Sequence, residues 1–258
     1  MIDREATEKY LAEQAVLPES VLAAMVVGSM ARGWANAYSD MDLVAICAEL
    51  PAEVSARQPV PLQPPCFAVR AWHGPDQRWE VKYWTAGQVE QILAKVSWDA
   101  FESNGSAPQS LTEAEELLLE RSLTGLPVVG ADWLAELRGR LADSAFQTQV
   151  TSRSLARAEE SVVDALGQVE ADDPYSAVLS ARKAYGHAVD AMLESHGVYG
   201  SLQPKWRARR VQDATLTELT FSDYWQVESM AGYDDAQPAT WVADTVRRTR
   251  ALIMQVEL

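Results

Sequence analysis

The sequence contains few cysteines and few histidines, which limits the metal and redox sites that it can form. There are two cysteines, Cys47 and Cys66, and three histidines in 258 residues. The cysteines lie in apolar or proline-rich segments, and the histidines do not have metal-ligand spacing. We therefore expect no zinc site and no disulfide framework, and we expect both cysteines to be buried free thiols.

Basic residues are scarce relative to acidic ones. The chain has 22 Lys and Arg against 37 Asp and Glu, a formal charge of −15. Such a charge repels a phosphate backbone, so we expect no nucleic-acid partner. It would attract a cationic ligand, although acidity also serves solubility alone. The sequence has no apolar run of membrane-spanning length, and its first residues do not resemble a signal peptide, so we expect a cytoplasmic protein without a membrane partner.

Four segments have the apolar pattern of β-strands: 21–27, 41–47, 66–72 and 78–85. The first is a continuous apolar run, which is typical of a buried strand, and the second repeats this pattern apart from Asp42. The last two flank a short turn-forming segment and are predicted to form a hairpin. A short helix is predicted over residues 5–16, and five prolines between positions 50 and 65 predict an irregular loop there.

From Ala86 onward the periodicity is helical. The predicted breaks fall at 103–106, 123–130, 172–174 and 197–204, and the longest helical segments at 144–170, 174–196, 215–231 and 238–257. Segments of this length with apolar stripes are typical of a helical bundle. We therefore predict an α+β fold: an α/β catalytic domain with a small mixed sheet over residues 1–140, followed by a helical bundle domain over residues 141–258.

The segment from Gly28 to Asp42 has the residues expected of a phosphate and metal site. Gly28 and Gly33 permit a tight backbone whose amides can face a phosphate, and Ser29 adds a hydroxyl at the end of a strand. Asp40 and Asp42 project to the same face of the next strand, so both carboxylates can share one cation. A dication that is held by two carboxylates and bridges a triphosphate would be Mg²⁺.

Glu80 is the third carboxylate of interest. It lies on a neighbouring strand, on the same face as Arg78 and Lys82. It can join the metal site, or it can act as a general base that takes the proton from an acceptor hydroxyl. Alternatively, it is a solvated strand residue that pairs with Arg78.

Three further residues each have two interpretations. Arg32 either contacts phosphate or fastens its loop to a carboxylate. Ser39 either contributes its hydroxyl as a ligand or caps the turn before Asp40. A polar row on the helix over 174–196, formed by Arg182, Tyr185 and Asp190, either lines an acceptor pocket or is a solvated helix face.

These residues resemble the nucleotidyltransferase superfamily, which includes DNA polymerase β and the aminoglycoside and lincosamide nucleotidyltransferases. The shared pattern is matched by Gly28-Ser29, Ala31-Arg32-Gly33 and Ser39-Asp40-Met41-Asp42. Trp79-Glu80-Val81 is most similar to the aminoglycoside adenylyltransferases, in which that glutamate serves as the catalytic base. The motif-level resemblance covers about residues 20–85, and beyond it only the helical C-terminal architecture agrees.

The resemblance implies Mg²⁺-dependent transfer of a nucleoside monophosphate, AMP from ATP in the first instance, to a hydroxyl group with release of pyrophosphate. Asp40, Asp42 and Glu80 would form the catalytic and metal site, and Gly28, Ser29, Arg32 and Ser39 would bind the nucleotide. Related enzymes use a lysine at a place similar to Lys205 to contact the triphosphate.

The resemblance leaves the acceptor open. It implies a small molecule, either an aminoglycoside-type antibiotic, which would be cationic, or a biosynthetic metabolite. The alternative is a regulatory antitoxin-like protein that modifies or masks a protein partner. Either a monomer or a homodimer is compatible with this interpretation.

Overall fold

A six-stranded mixed sheet organises the first part of the chain in the computed structural model, which describes residues 4–103 and 111–258. Its strands are β1 (Val21–Val27), β2 (Met41–Cys47), β3 (Ala56–Pro59), β4 (Cys66–His73), β5 (Arg78–Thr85) and β6 (Leu126–Val129). They are arranged in the order β3-β4-β5-β2-β1-β6. β2 and β5 are parallel, and the other neighbouring pairs are antiparallel.

Six helices accompany this sheet among the described residues: α1 (Arg4–Glu13), α2 (Gly28–Ala31), α3 (Ala86–Lys95), α4 (Trp98–Ser103), α5 (Glu113–Thr124) and α6 (Ala131–Ala142). Capping boxes begin two of them, through Thr85 with Gln88 at α3 and Thr112 with Glu115 at α5. α1 ends earlier than the predicted residue 16. The predicted break at 103–106 extends beyond the described residues, because 104–110 are not among them.

The two faces of the sheet differ in chemistry because strand residues alternate in direction. Trp79, Val81 and Tyr83 belong to one buried apolar cluster, as the alternation along 78–85 predicts. Leu43, which is paired with Val81, belongs to the same cluster. The opposite face of the same two strands therefore presents the intervening residues, which include Asp42 and Glu80.

Two short strands were not predicted. The expected irregular loop over 50–65 contains β3, and the break over 123–130 contains β6. All four residues of β3 are exposed at the edge of the sheet, so they show no apolar alternation. Each of these two edge strands is defined by its pairing, β3 with β4 and β6 with β1.

The second part of the chain is helical. Its helices are α7 (Phe146–Glu170), α8 (Pro174–Ser195), α9 (Arg207–Ala214), α10 (Phe221–Glu228) and α11 (Pro238–Ile253), with a 3₁₀ turn at Pro204–Trp206. Asp173 caps α8, since its carboxylate accepts from the Ser176 N–H at 3.1 Å. The helix predicted over 215–231 is shorter, because Thr220 caps the start of α10.

The predicted α+β fold is confirmed: a mixed sheet with helices precedes a helical region. The chain divides into two compact units, residues 1–145 and 146–258. Cys47 is a buried free thiol as expected, whereas Cys66, the first residue of β4, is half-buried. Among the described residues, no helix combines the length and the apolar character needed to cross a membrane.

Candidate functional site

The site begins where β1 ends. Gly28 has a φ of +71°, in the left-handed region that favours glycine. A Cβ atom at Gly28 would lie 3.0 Å from Oδ2 of Asp42. Glycine at this position therefore has two effects: it permits the turn from β1 into α2, and it allows the backbone to approach the Asp42 carboxylate.

Asp42 and Glu80 lie side by side on the sheet. They are directly paired in the parallel register of β2 and β5, and Val27 is paired with Asp42 on the other side. Neighbouring strands are about 4.8 Å apart, so the two side chains leave the same face at close range. The register of the sheet thus brings together two of the predicted site carboxylates.

Arg78 connects the third carboxylate to this pair. Its Nη1 lies 3.0 Å from Oδ2 of Asp40, and its Nη2 lies 3.0 Å from Oε2 of Glu80. Lys82 Nζ lies 3.4 Å from Oε1 of Glu80. Glu80 therefore makes the ion pair with Arg78 that is expected if it is a strand residue paired with its neighbour. Because these groups are partly exposed, each pair contributes only about 0–1 kcal/mol and serves mainly to orient the side chains.

Asp42 differs from the other two carboxylates in its electrostatic environment. Burial raises the pKa of Asp42, and the nearby carboxylates of Glu80 and Asp40 add to the rise. The charges of Arg121 and Lys82 lower that pKa in part. An ionised Asp42 is therefore held in an unfavourable position, which a further cation at this place would relieve.

The three carboxylates are chemically suited to a hard dication, which prefers oxygen ligands. Within the described part of the chain, no group of three His, Cys, Asp or Glu side chains has the geometry of a metal site. The Arg78 guanidinium lies between the carboxylates of Asp40 and Glu80 and pairs with both. The oxygen donors of Asp40, Asp42 and Glu80 would suit Mg²⁺ in their chemistry, and Arg78 would have to release Asp40 for that carboxylate to bind it.

Ser29, Arg32 and Ser39 contact other residues of the loop between β1 and β2. The Ser39 hydroxyl accepts from the Asn36 N–H at 2.9 Å, so it closes the turn before Asp40. The Arg32 guanidinium lies 4.9 Å from the centroid of the Trp34 ring, a cation–π contact. The Ser29 carbonyl accepts from the Trp34 N–H at 2.8 Å, which shapes the loop after α2.

Two features of the site were missed by sequence reasoning. Arg121 on α5 acts electrostatically on Asp42, although no motif marks this helix. The bridging position of Arg78 was also missed. Arg78 was noted only as a partner for Glu80, because its pairing with Asp40 depends on the register between β2 and β5.

Lys205 lies in the second unit, in the 3₁₀ turn before α9, and it is exposed. Its Nζ lies 5.6 Å from the ring centroid of Trp206. Lys205 is one of the residues around a surface cleft of about 460 Å³. The charged residues of this cleft are Arg182, Lys183, Lys205, Arg207 and Glu228. Positive charge is therefore concentrated here in an otherwise acidic chain.

Asp190 is neither a pocket residue nor a solvated one. It is fully buried on α8, where Oδ2 accepts from Nη2 of Arg207 at 2.7 Å and Oδ1 accepts from Nη2 of Arg210. Tyr185 is also buried, and Arg182 pairs with Glu228 at 3.1 Å. The three residues of the predicted polar row therefore do not share one environment. Asp190 and Tyr185 are buried inside the unit, whereas Arg182 lies at the cleft.

Comparison with known proteins identifies the fold and no particular activity. No protein-family model matches the sequence, and no curated protein sequence matches it. Among solved structures, the chain is similar to a nucleotidyltransferase-like protein from Exiguobacterium sibiricum 255-15, with a TM-score of 0.50 and 12% identity over 97% of this chain and 74% of that one. The chain therefore has a nucleotidyltransferase-like fold.

Proposed function

We propose that this chain is a metal-dependent nucleotidyltransferase that transfers a nucleoside monophosphate, AMP from ATP in the first instance, to a hydroxyl group of a small molecule. The observation that supports this function best is the side-by-side placement of Asp42 and Glu80 beside Gly28, in a chain of nucleotidyltransferase-like fold. A fold alone does not define an activity, so the proposal depends on this site.

The nucleotide is assigned to the turn after β1. The backbone at Gly28 and the hydroxyl of Ser29 would bind phosphate, and Arg32 would add positive charge beside them. Asp40 and Asp42 would hold Mg²⁺, which when bound would offset the negative charge of the triphosphate. Because Arg78 pairs with Asp40 at 3.0 Å, the guanidinium and the metal ion would compete for that carboxylate.

Glu80 is the proposed general base. It would accept the proton of the acceptor hydroxyl while that oxygen forms a bond to the α-phosphorus and the bond to the pyrophosphate leaving group breaks. The Glu80 side chain is 19% exposed, so it is shielded from bulk water but can be reached by a substrate. Its pairing with Arg78 and Lys82 restricts the directions that its carboxylate can take.

Lys205 is proposed as a second phosphate contact. The cleft that it lines concentrates the cations of Arg182, Lys183 and Arg207. Charge-assisted hydrogen bonds from such groups are the usual means of binding phosphate oxygens. Arg182 is paired with Glu228 and Arg207 with Asp190, so the proposal depends on the charges of Lys183 and Lys205.

Two classes of acceptor follow from the sequence. The acidic charge of the chain supports a cationic acceptor such as an aminoglycoside-type antibiotic. A biosynthetic metabolite is the second class, and it requires no positive charge on the acceptor.

The function is tested by pyrophosphate release. Each of the four nucleoside triphosphates is incubated with Mg²⁺, the protein and a panel of aminoglycosides and lincosamides. Asp40→Asn is the test variant, because it removes one charge from the proposed metal site. Asp76→Asn is the matched control, since Asp76 is an exposed aspartate in the loop between β4 and β5.

Release that depends on one acceptor, is lost in Asp40→Asn and persists in Asp76→Asn would support both the chemistry and the acceptor class. Full activity of Asp40→Asn would refute the proposed mechanism. If nucleotide binds but no member of the panel is modified, the antibiotic acceptor is excluded. Nucleotide labelling of a copurified protein would then favour the antitoxin-like alternative over a small-molecule acceptor.

A further inference from the structure

A cavity of about 320 Å³ opens beside the carboxylates, on the same face of the sheet. Val44 follows Asp42 by two positions on β2, and Lys82 follows Glu80 by two positions on β5. Val44 and Lys82 are paired with each other and both line the cavity. Alternate residues of a strand are roughly 6.6 Å apart, so the cavity begins one such step beyond the carboxylates.

The inner surface of this cavity is apolar and partly aromatic. Its most buried lining residues are Val44, Phe67, Trp84 and Leu118. The rings of Phe67 and Trp84 are stacked, with centroids 4.6 Å apart and an interplanar angle of 12°. The volume is at the lower end of the range for small-ligand pockets, and such a lining suits a flat apolar group.

Two cations line the same cavity. Lys82 connects it to the site, because its Nζ lies 3.4 Å from Oε1 of Glu80. Arg121 lines the wall formed by α5, is half-buried, and acts electrostatically on Asp42. Among residues 4–103 and 111–258, no group accepts a hydrogen bond from the Arg121 guanidinium. The carboxylate in the lining, Glu113, is exposed. A half-buried guanidinium that makes no hydrogen bond to the described residues has donors to offer to an anionic ligand group.

We propose that this cavity binds the apolar, ring-containing part of the acceptor, with an anionic substituent of that acceptor held by Arg121 and Lys82 and its hydroxyl directed to Glu80. This inference rests on the proposed function and names its acceptor class. The two cations would repel a polycation at the place where the acceptor has to enter. The cavity therefore favours an anionic aromatic metabolite over an aminoglycoside.

The test compares two probes with the same ring system in the full-length protein. 8-Anilinonaphthalene-1-sulfonate carries an anion, and N-phenyl-1-naphthylamine does not. Fluorescence titration gives the affinity of each for the natural sequence, for Arg121→Gln and Lys82→Gln, and for the control Arg250→Gln, which removes an exposed arginine of the second unit. Competition with MgATP and with kanamycin is measured in the same assay.

We expect the anionic probe to bind about tenfold more tightly than the uncharged one, and we expect this preference to be lost in Arg121→Gln and Lys82→Gln but kept in Arg250→Gln. Neither MgATP nor kanamycin should displace the anionic probe. Equal affinity for both probes, or equal losses in Arg121→Gln and Arg250→Gln, would overturn the proposal. Displacement by MgATP would also overturn it, because the cavity would then hold the nucleotide.

Pyrophosphate release separates this inference from the proposed function. If release is observed but the anionic probe shows no preference, the cavity assignment fails and the transferase function stands. If the probe binds as expected but anionic aromatic hydroxy compounds do not cause pyrophosphate release, the acceptor role of the cavity fails, and the transferase function is decided by the antibiotic panel and Asp40→Asn. The cavity would then remain a binding site for anionic ring compounds.

Discussion

Comparing Gly28→Ala with Gly33→Ala separates the effect of backbone strain from the effect of displacing the Asp42 carboxylate. Gly28 and Gly33 have almost the same left-handed φ, +71° and +70°. A Cβ at Gly28 would lie 3.0 Å from Oδ2 of Asp42, whereas a Cβ at Gly33 would meet no described atom within 4 Å. Gly33→Ala is therefore a matched control, since it introduces the same backbone strain without crowding Asp42.

The two variants should lose similar amounts of stability. A non-glycine residue in the left-handed region costs about 1–2 kcal/mol. The lower entropy of the unfolded chain offsets this by about 0.4–1 kcal/mol. A net loss of about 1 kcal/mol corresponds to a decrease in Tm of about 2–4 °C for a chain of this size.

The variants should differ in ligand binding. In Gly28→Ala the Asp42 carboxylate has to move by a few tenths of an ångström, because 3.0 Å is too short for an ordinary contact. We expect at least a tenfold loss of MgATP affinity or turnover in Gly28→Ala and little change in Gly33→Ala. Calorimetric titration with MgATP and thermal unfolding measure both effects. Equal losses of affinity in the two variants, or full affinity in Gly28→Ala, would refute the reasoning.

Three further predictions concern stability. Burial raises the pKa of Asp42, so the ionised carboxylate destabilises the folded state above that pKa. Asp42→Asn should therefore be more stable than the natural sequence at pH 7 without metal. In thermal unfolding, this gain in stability should vanish as the pH is lowered through the carboxylate range. Asp190→Asn should lose about 3–5 kcal/mol in denaturant unfolding, because it leaves the buried Arg210 and the half-buried Arg207 without their counter-charge, whereas the exposed Asp164→Asn should have little effect. Burial also raises the pKa of Glu194 to about 8, above the model-compound value of 4.5, so the folded state retains a proton that the unfolded state releases. Relative to Glu194→Gln, the natural sequence should therefore lose stability as pH rises from about 5 to 8.

Several strands could be predicted from the sequence because buried strands leave a local pattern. β1, β2 and β5 have the predicted bounds, since each is a continuous or alternating apolar run that ends at a turn. The alternation along β5 also predicts correctly which side chains enter the apolar cluster. In contrast, the four residues of β3 are all exposed, so nothing local distinguishes them from a loop.

The candidate site combines local and non-local determinants. The turn at Gly28 follows from a local property, because glycine permits a left-handed φ, and the face on which Asp42 lies follows from strand alternation. The pairing of Asp42 with Glu80 follows from the parallel register of two strands far apart in the chain. The sequence suggested that these strands are neighbours but contained no signal for their register.

The sequence by itself determined the turn, the carboxylates and the strands that bear them. Only the tertiary structure decided which cations act on those carboxylates: Arg78 bridges Asp40 and Glu80, and the charge of Arg121 on α5 lowers the pKa of Asp42 in part. The reason is that an electrostatic interaction depends on distance in space. Strand register is set by burial of whole faces of the sheet, and no single segment of the chain specifies it.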